Sequence, residues 1–257
     1  MASRHGSLWT RDEHILAFNL YCQIPFGAIH MGNPRIVELG ALLGRSVGSV
    51  SYKLSNFARL DPALRARGIR GNEHGAKGEE AVWQEFAADP ESLVFESETL
   101  LADRLGKTIE DVAQIGFDEL PRAGIEREAI VRIRVNQNFF RRRIVSAYEY
   151  ECCVTGLAVP ELLVASHISP WASDAANRLN PINGLCLNAI HDRAFDRGLM
   201  WIDDKFEIHF AERLHANSNL DAALSWLIGF EGQRLRLPRE FAPSLDFLRA
   251  HATRHGY

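Results

Sequence analysis

LLVASHISPW (residues 162–171) opens as an apolar run of strand length and closes on Ser166, His167 and a Pro-Trp stop. Its β-branched and aliphatic residues, bounded by turn formers, have the composition of a buried strand. A lone histidine at such a strand end is ordinarily a core residue bonded to backbone. It is also where a general base is held rigidly, because the unperturbed imidazole pKa of about 6.5 lies close to working pH. The flanking sequence separates these two possibilities.

Upstream, NQNFFRRRIVSAYEY (136–150) has helical periodicity, with Phe140, Ile144, Val145 and Tyr148 inward and Arg141, Arg142 and Arg143 displayed around them, where they are expected to contact DNA. CCVTGL follows as a short strand and turn. Downstream, the polar loop ASDAANRLNPI leads to a second strand, NGLCLN, and then to a short helix, AIHDRAFD, stopped at Gly198. GLMWIDDKFEIHF reads as a β-hairpin turning at Asp203-Asp204. The order is strand, loop, strand, helix, with His167 ending the first strand, Asn183 opening the second and His191 in the helix.

ASHISPW, NPINGLCLN and HDRAFDRG, in that order, resemble the HNH (ββα-metal) endonuclease family, and within it the bacterial restriction-type subgroup. His167, Asn183 and His191 fall on its H, N and H positions over residues 137–210. The resemblance implies phosphodiester hydrolysis, with His167 as general base, His191 as ligand of a divalent cation and Asn183 tying the two strands together; as an ordinary turn residue Asn183 fits equally well. Hydrolysis of this kind needs a deprotonated water and a cation against the developing charge. Many family members carry Asp just before the first His, where this chain has Ser166. A hydroxyl is a weak ligand, so the metal site is expected to rest on His191 and Ser166 with water and phosphate oxygens, holding Mg²⁺ or Mn²⁺. Asn188 is expected to cap the helix, and Asp196 to face elsewhere. Some relatives carry a zinc knuckle; here Cys153 and Cys186 lack the partners of a four-ligand site, so structural zinc is not expected.

The N-terminal segment carries helix signals. Thr10 and Glu13 form a capping box, Asn33-Pro34 opens a second helix ending at Gly44, and Ser46 caps a third with Val47, Val50, Leu54 and Phe57 on one face. The opposite face offers Ser49, Ser51, Lys53 and Asn56. Trp9-Thr10, LLGRSVGSVSYKL and Phe57 give this part a resemblance to Myb-like helix-turn-helix domains, implying DNA contact through Arg45, Ser49, Lys53 and Asn56. A three-helix bundle without a nucleic-acid role fits the same periodicity.

Charge is distributed unevenly. Gly44–Gly71 holds six basic residues against one acid, Glu79–Glu119 twelve acids against two bases, and Arg122–Arg143 seven arginines against two acids, although the 257-residue chain sums to −4. Four cysteines include an adjacent pair and no CxxC, and the N-terminus lacks an apolar signal core. His251 and His255, four residues apart, read as an exposed helical face. The expected architecture is α+β: residues 1–75 a helix-turn-helix-like helical domain, 76–135 an acidic helical connector, 136–257 the nuclease domain with its C-terminal extension. The expectation is a cytoplasmic, homodimeric endonuclease acting on double-stranded DNA, without membrane association. The rival is a DNA-binding regulator whose HNH module is inactive, a possibility kept open by Ser166.

Overall fold

The computed structural model describes residues 7–69, 75, 77–115, 124–216 and 221–257. Arg70 of the first basic run and the stretch around Pro121 therefore lie outside the described residues. The chain divides into two compact units, residues 1–139 and 140–257.

The first unit is helical. Helix α1 (Arg11–Gln23) starts at the Thr10–Glu13 capping box, α2 (Pro34–Leu43) at Asn33 with Pro34 in its first turn, and α3 (Val47–Ala58) at Ser46. Each cap accepts a backbone N–H that the first turn leaves without a helical partner. Four further helices are α4 (Pro62–Ala66), α5 (Lys77–Phe86), α6 (Pro90–Leu105) and α7 (Ile109–Val112). Helices α2, α3, α5 and α6 all pack on α1. Phe18 stacks on Phe57 at its centre, the rings 4.8 Å apart, and Trp83 lies tilted against Phe18 at 5.0 Å. The acidic segment expected to be a connector thus supplies core: Val82, Phe86 and Leu93 join the cluster built on Ile15, Leu54 and Phe57. The boundary between units falls at residue 139, inside helix α8 (Ile125–Ala147), near the expected start of the nuclease domain at 136, and the expected division near 75 lies within the first unit.

The second unit begins with the last turns of α8. Strands β1 (Leu163–His167) and β2 (Gly184–Asn188) form an antiparallel pair, and α9 (Ala189–Asp196) follows directly. A smaller hairpin joins β3 (Met200–Ile202) and β4 (Ile208–Phe210); α10 (Glu212–His215), α11 (Ala222–Ile228) and α12 (Leu245–Arg254) complete the chain. In the β1–β2 register His167 lies opposite Gly184. A β-carbon there would overlap the Ile144 side chain and come within 2.8 Å of Phe140 Cζ. Only glycine lets α8 approach the strand pair so closely. Among the described residues no helix is long and apolar enough to cross a membrane.

Candidate active site

His167 is set by three contacts. Phe140, admitted by Gly184, stacks on its ring at 3.7 Å between centroids and 14° between planes. Trp171 meets it edge-on at 5.5 Å. Its Nε2 lies 2.9 Å from the Arg178 carbonyl oxygen. A carbonyl only accepts, so Nε2 carries the proton and Nδ1 is the basic nitrogen. Burial pulls the pKa below the ordinary 6.5, against smaller opposing effects of the Arg178 carbonyl and Asp196. The ring is neutral at neutral pH, as a base must be.

The loop that presents the Arg178 carbonyl is held by Asn183, which is fully buried. Its Oδ1 accepts from the Ser169 amide at 2.7 Å, and its Nδ2 donates to the Ser169 and Asn177 carbonyls. Asn177 bonds Asp174, Asn180 bonds Asn177, and Arg178 Nε donates to the Trp171 carbonyl. Asn183 thus acts on His167 through the loop. Arg141 and Arg143 are drawn inward too. Arg141 donates to the Leu163 and Pro160 carbonyls, and Arg143 to the Leu179 carbonyl with its guanidinium 4.8 Å over Phe241. They pin the ends of β1 and of the loop instead of standing free for a ligand, as expected of them with Arg142, which is half-buried.

His191 is turned away from His167. It is fully buried, with Nδ1 2.8 Å from Asn188 Nδ2 and its ring among Phe210, Trp226 and Phe230. Burial pushes its pKa down to about 4. Asn188 caps α9 as expected, accepting from the Ile190 and His191 amides. The reason is helical phase: His191, Ala194 and Phe195 form the buried face of α9, so a ligand role for His191 is not supported by its position. The adjacent phase carries Asp192 and, one turn on, Asp196. These two carboxylates line a cleft of about 330 Å³ with Ser166, His167, Trp171, His251 and Arg254. The D-x-x-x-D spacing in HDRAFD was the available signal, since it puts both on one helix face. Burial raises the Asp192 pKa, and the Ser166 hydroxyl, which makes no hydrogen bond of good geometry, works in the opposite direction.

A second cluster, Asp203, Glu207 and His209, lies on the β3–β4 hairpin with ligand atoms within 4.8 Å of one another. His209 bridges Asp203 and Glu231, at 3.3 and 3.1 Å. The cysteines behave as core. The Asn188 amide donates to Cys152 Sγ at 3.2 Å, and burial pushes the Cys186 thiol up to about 12.

The residues expected to meet DNA in the first unit are mostly internal. Arg45 is buried against Glu13 at 2.7 Å and lies 4.5 Å over Trp9; Lys53 is paired with Glu79, which also accepts from Asn56 at 2.8 Å. The buried carboxylates of α1 and α5 demand cationic partners, and Arg45 in the turn before α3 and Lys53 on α3 supply them. Ser49 alone of the four is half-exposed, beside the exposed Tyr52.

The model of the HNH endonuclease family matches residues 152–203. No curated protein is similar enough to this chain to count as a match. A solved structure, the modification-dependent TagI restriction endonuclease, is similar at 19% identity with a TM-score of 0.33, covering 45% of this chain and 37% of that one. The chain thus spans just over a third of that protein's length. The strand–loop–strand–helix order and the sequence match coincide, and residues 152–203 of this chain belong to the HNH endonuclease family.

Proposed function

We propose that this protein is a divalent-metal-dependent DNA endonuclease that hydrolyses phosphodiester bonds in the cleft between β1 and α9, and that its biological use is restriction of foreign DNA. The observation that carries the chemistry is the bond from His167 Nε2 to the Arg178 carbonyl, which leaves Nδ1 unprotonated at the cleft. Nδ1 takes the proton of the attacking water, and the Arg178 carbonyl stabilises the imidazolium that forms. Phe140 fixes the ring plane and Trp171 closes one side against solvent.

The donor set suits a hard divalent cation. Asp192, Asp196 and the buried Ser166 hydroxyl, which makes no hydrogen bond of good geometry, offer oxygen only, which favours Mg²⁺ or Mn²⁺ over a thiolate-seeking metal. Held there, the ion supplies charge stabilisation to the phosphate and the departing 3′-oxygen. Two carboxylates on α9 offset the missing Asp at position 166, which weighs against the inactive-regulator alternative. DNA contact by the first unit is retained in this proposal only for the surface of α3 around Ser49 and Tyr52.

The test is cleavage of supercoiled plasmid in Mg²⁺ or Mn²⁺. His167→Ala should lower the rate by about 10²–10⁴-fold, and Asp192→Asn should do so in every metal tried. Retention of more than a third of wild-type activity by His167→Ala would sink the assignment.

A further inference from the structure

We propose that the C-terminal helix α12, which lies outside the segment matched by the family, supplies the phosphate-binding side of the cleft, and that Arg254 holds the non-bridging oxygens of the scissile phosphodiester. The proposal rests on the endonuclease reading and names the residue that receives its substrate.

Charge is the first argument. The cleft lining carries two carboxylates, Asp192 and Asp196. Of the two rings in the lining, His167 has its Nε2 hydrogen committed to the Arg178 carbonyl, and burial pushes the pKa of His251 down to about 4, so that ring offers no cation at neutral pH. Among the described residues of the lining, Arg254 is the only one with a permanent positive charge. A divalent ion offsets the two carboxylates, and the anionic diester then still needs a counter-charge, which one guanidinium matches. Its planar fork meets two phosphate oxygens at once.

Availability is the second. Four C-terminal arginines are engaged: Arg249 with Asp204, Arg236 with Glu151, Arg234 with Glu207 and Arg239 with Glu149. Arg254 is exposed and has no ion-pair partner among the described residues. A second polar group at the cleft points to the same ligand: the Ser166 hydroxyl, only 3% exposed, makes no hydrogen bond of good geometry, its interaction with Asp192 falling short of one. A phosphate oxygen satisfies that donor.

Position is the third. Helix α12 is locked onto α9, the helix that carries both carboxylates. His251 Nε2 donates to the Phe195 carbonyl at 2.9 Å while its ring lies flat on Phe195, 3.7 Å away at 3°. Tyr257 stacks on Trp201 at 3.8 Å and donates to the Gly198 carbonyl. Gly198, at φ +62°, leaves no room for a β-carbon beneath the His255 ring. His251 is therefore an anchor, buried instead of displayed, and Arg254 sits one residue before its neighbour His255 at a backbone position that these contacts fix.

The experiment uses the full chain with Arg254→Gln and Arg254→Lys. Binding of a short duplex in EDTA is measured against salt, and plasmid cleavage is measured in Mg²⁺. Arg254→Gln should reduce the salt slope by about 0.9, the loss of one phosphate contact, and lower cleavage by about 10²–10³-fold. Arg254→Lys should keep the slope and recover part of the rate. His167→Ala should keep the wild-type slope, which separates phosphate binding from base chemistry. An unchanged slope in Arg254→Gln, or cleavage within threefold of wild type, overturns the proposal. If wild type binds but cleaves nothing, the endonuclease reading fails, while the slope still decides whether Arg254 grips phosphate. If Arg254→Gln does not fold, the lysine variant decides: a slope lower than wild type by one unit would overturn a role that needs only the charge there.

Discussion

Lys53 and Asp192 carry opposite lessons at the scale of the residue. Lys53 lies on α3 among short polar side chains that look made for a groove, yet it is buried against Glu79. Removing one member of a buried ion pair leaves the other uncompensated and costs about 3–5 kcal/mol. Lys53→Ala is therefore expected to act on the fold, lowering the unfolding free energy of the first unit by that order and with it the urea midpoint. If it weakened DNA binding at unchanged stability, the internal role would be refuted. Sequence cannot announce such a pairing, because Glu79 is 26 residues away and its burial depends on how α5 packs. The places of His167 at a strand end and of Asn183 in the turn before the second strand were legible because their neighbours in sequence are also their surroundings in space. His191 was not, since position along a short helix does not reveal which face is buried. The histidine looked like chemistry and is core; its neighbour Asp192, which carried no expectation, lines the cleft.

Elements were read more securely than contacts. The capping box of α1, the Asn33-Pro34 start of α2, the Ser46 cap of α3 and the β1–β2–α9 order each rest on signals within a few residues. The packing of α5 and α6 against α1 has no such local mark, so an acidic stretch that reads as a solvated connector folds into the core with its charges outward or paired. Helices α9 and α12 carry a pH consequence. In the folded chain His191 and His251 take a proton near pH 4, whereas an unfolded histidine does so near 6.5. Between those values the unfolded chain binds more protons, so stability falls as pH drops from about 6.5 toward 4 and is flat above it for these two groups. Urea unfolding followed by a probe in the second unit should show that decline, and His191→Gln should make it shallower. A variant with an undiminished slope would mean that its ring is not the titrating group.

For the molecule as a whole, the proposed chemistry sets the expected assembly. One cleft hydrolyses one strand, so a double-strand break at one place calls for two clefts, and two-fold dimers are the commonest soluble oligomers. The proposal is a homodimer on duplex DNA, its symmetry matching that of the duplex. Plasmid should pass directly to linear product with a rate steep in protein concentration. Nicked circles accumulating as the end product at every concentration would contradict it. The distribution of cysteine over the two units has a different use. Cys152, Cys153 and Cys186 are all within 1% of complete burial, while Cys22 is half-buried. Thiols react with alkylating reagents only when water reaches them. The second unit therefore holds three silent labels that opening would reveal together, and counting alkyl adducts by mass gives a clock for its excursions from the native state, kept within the natural sequence.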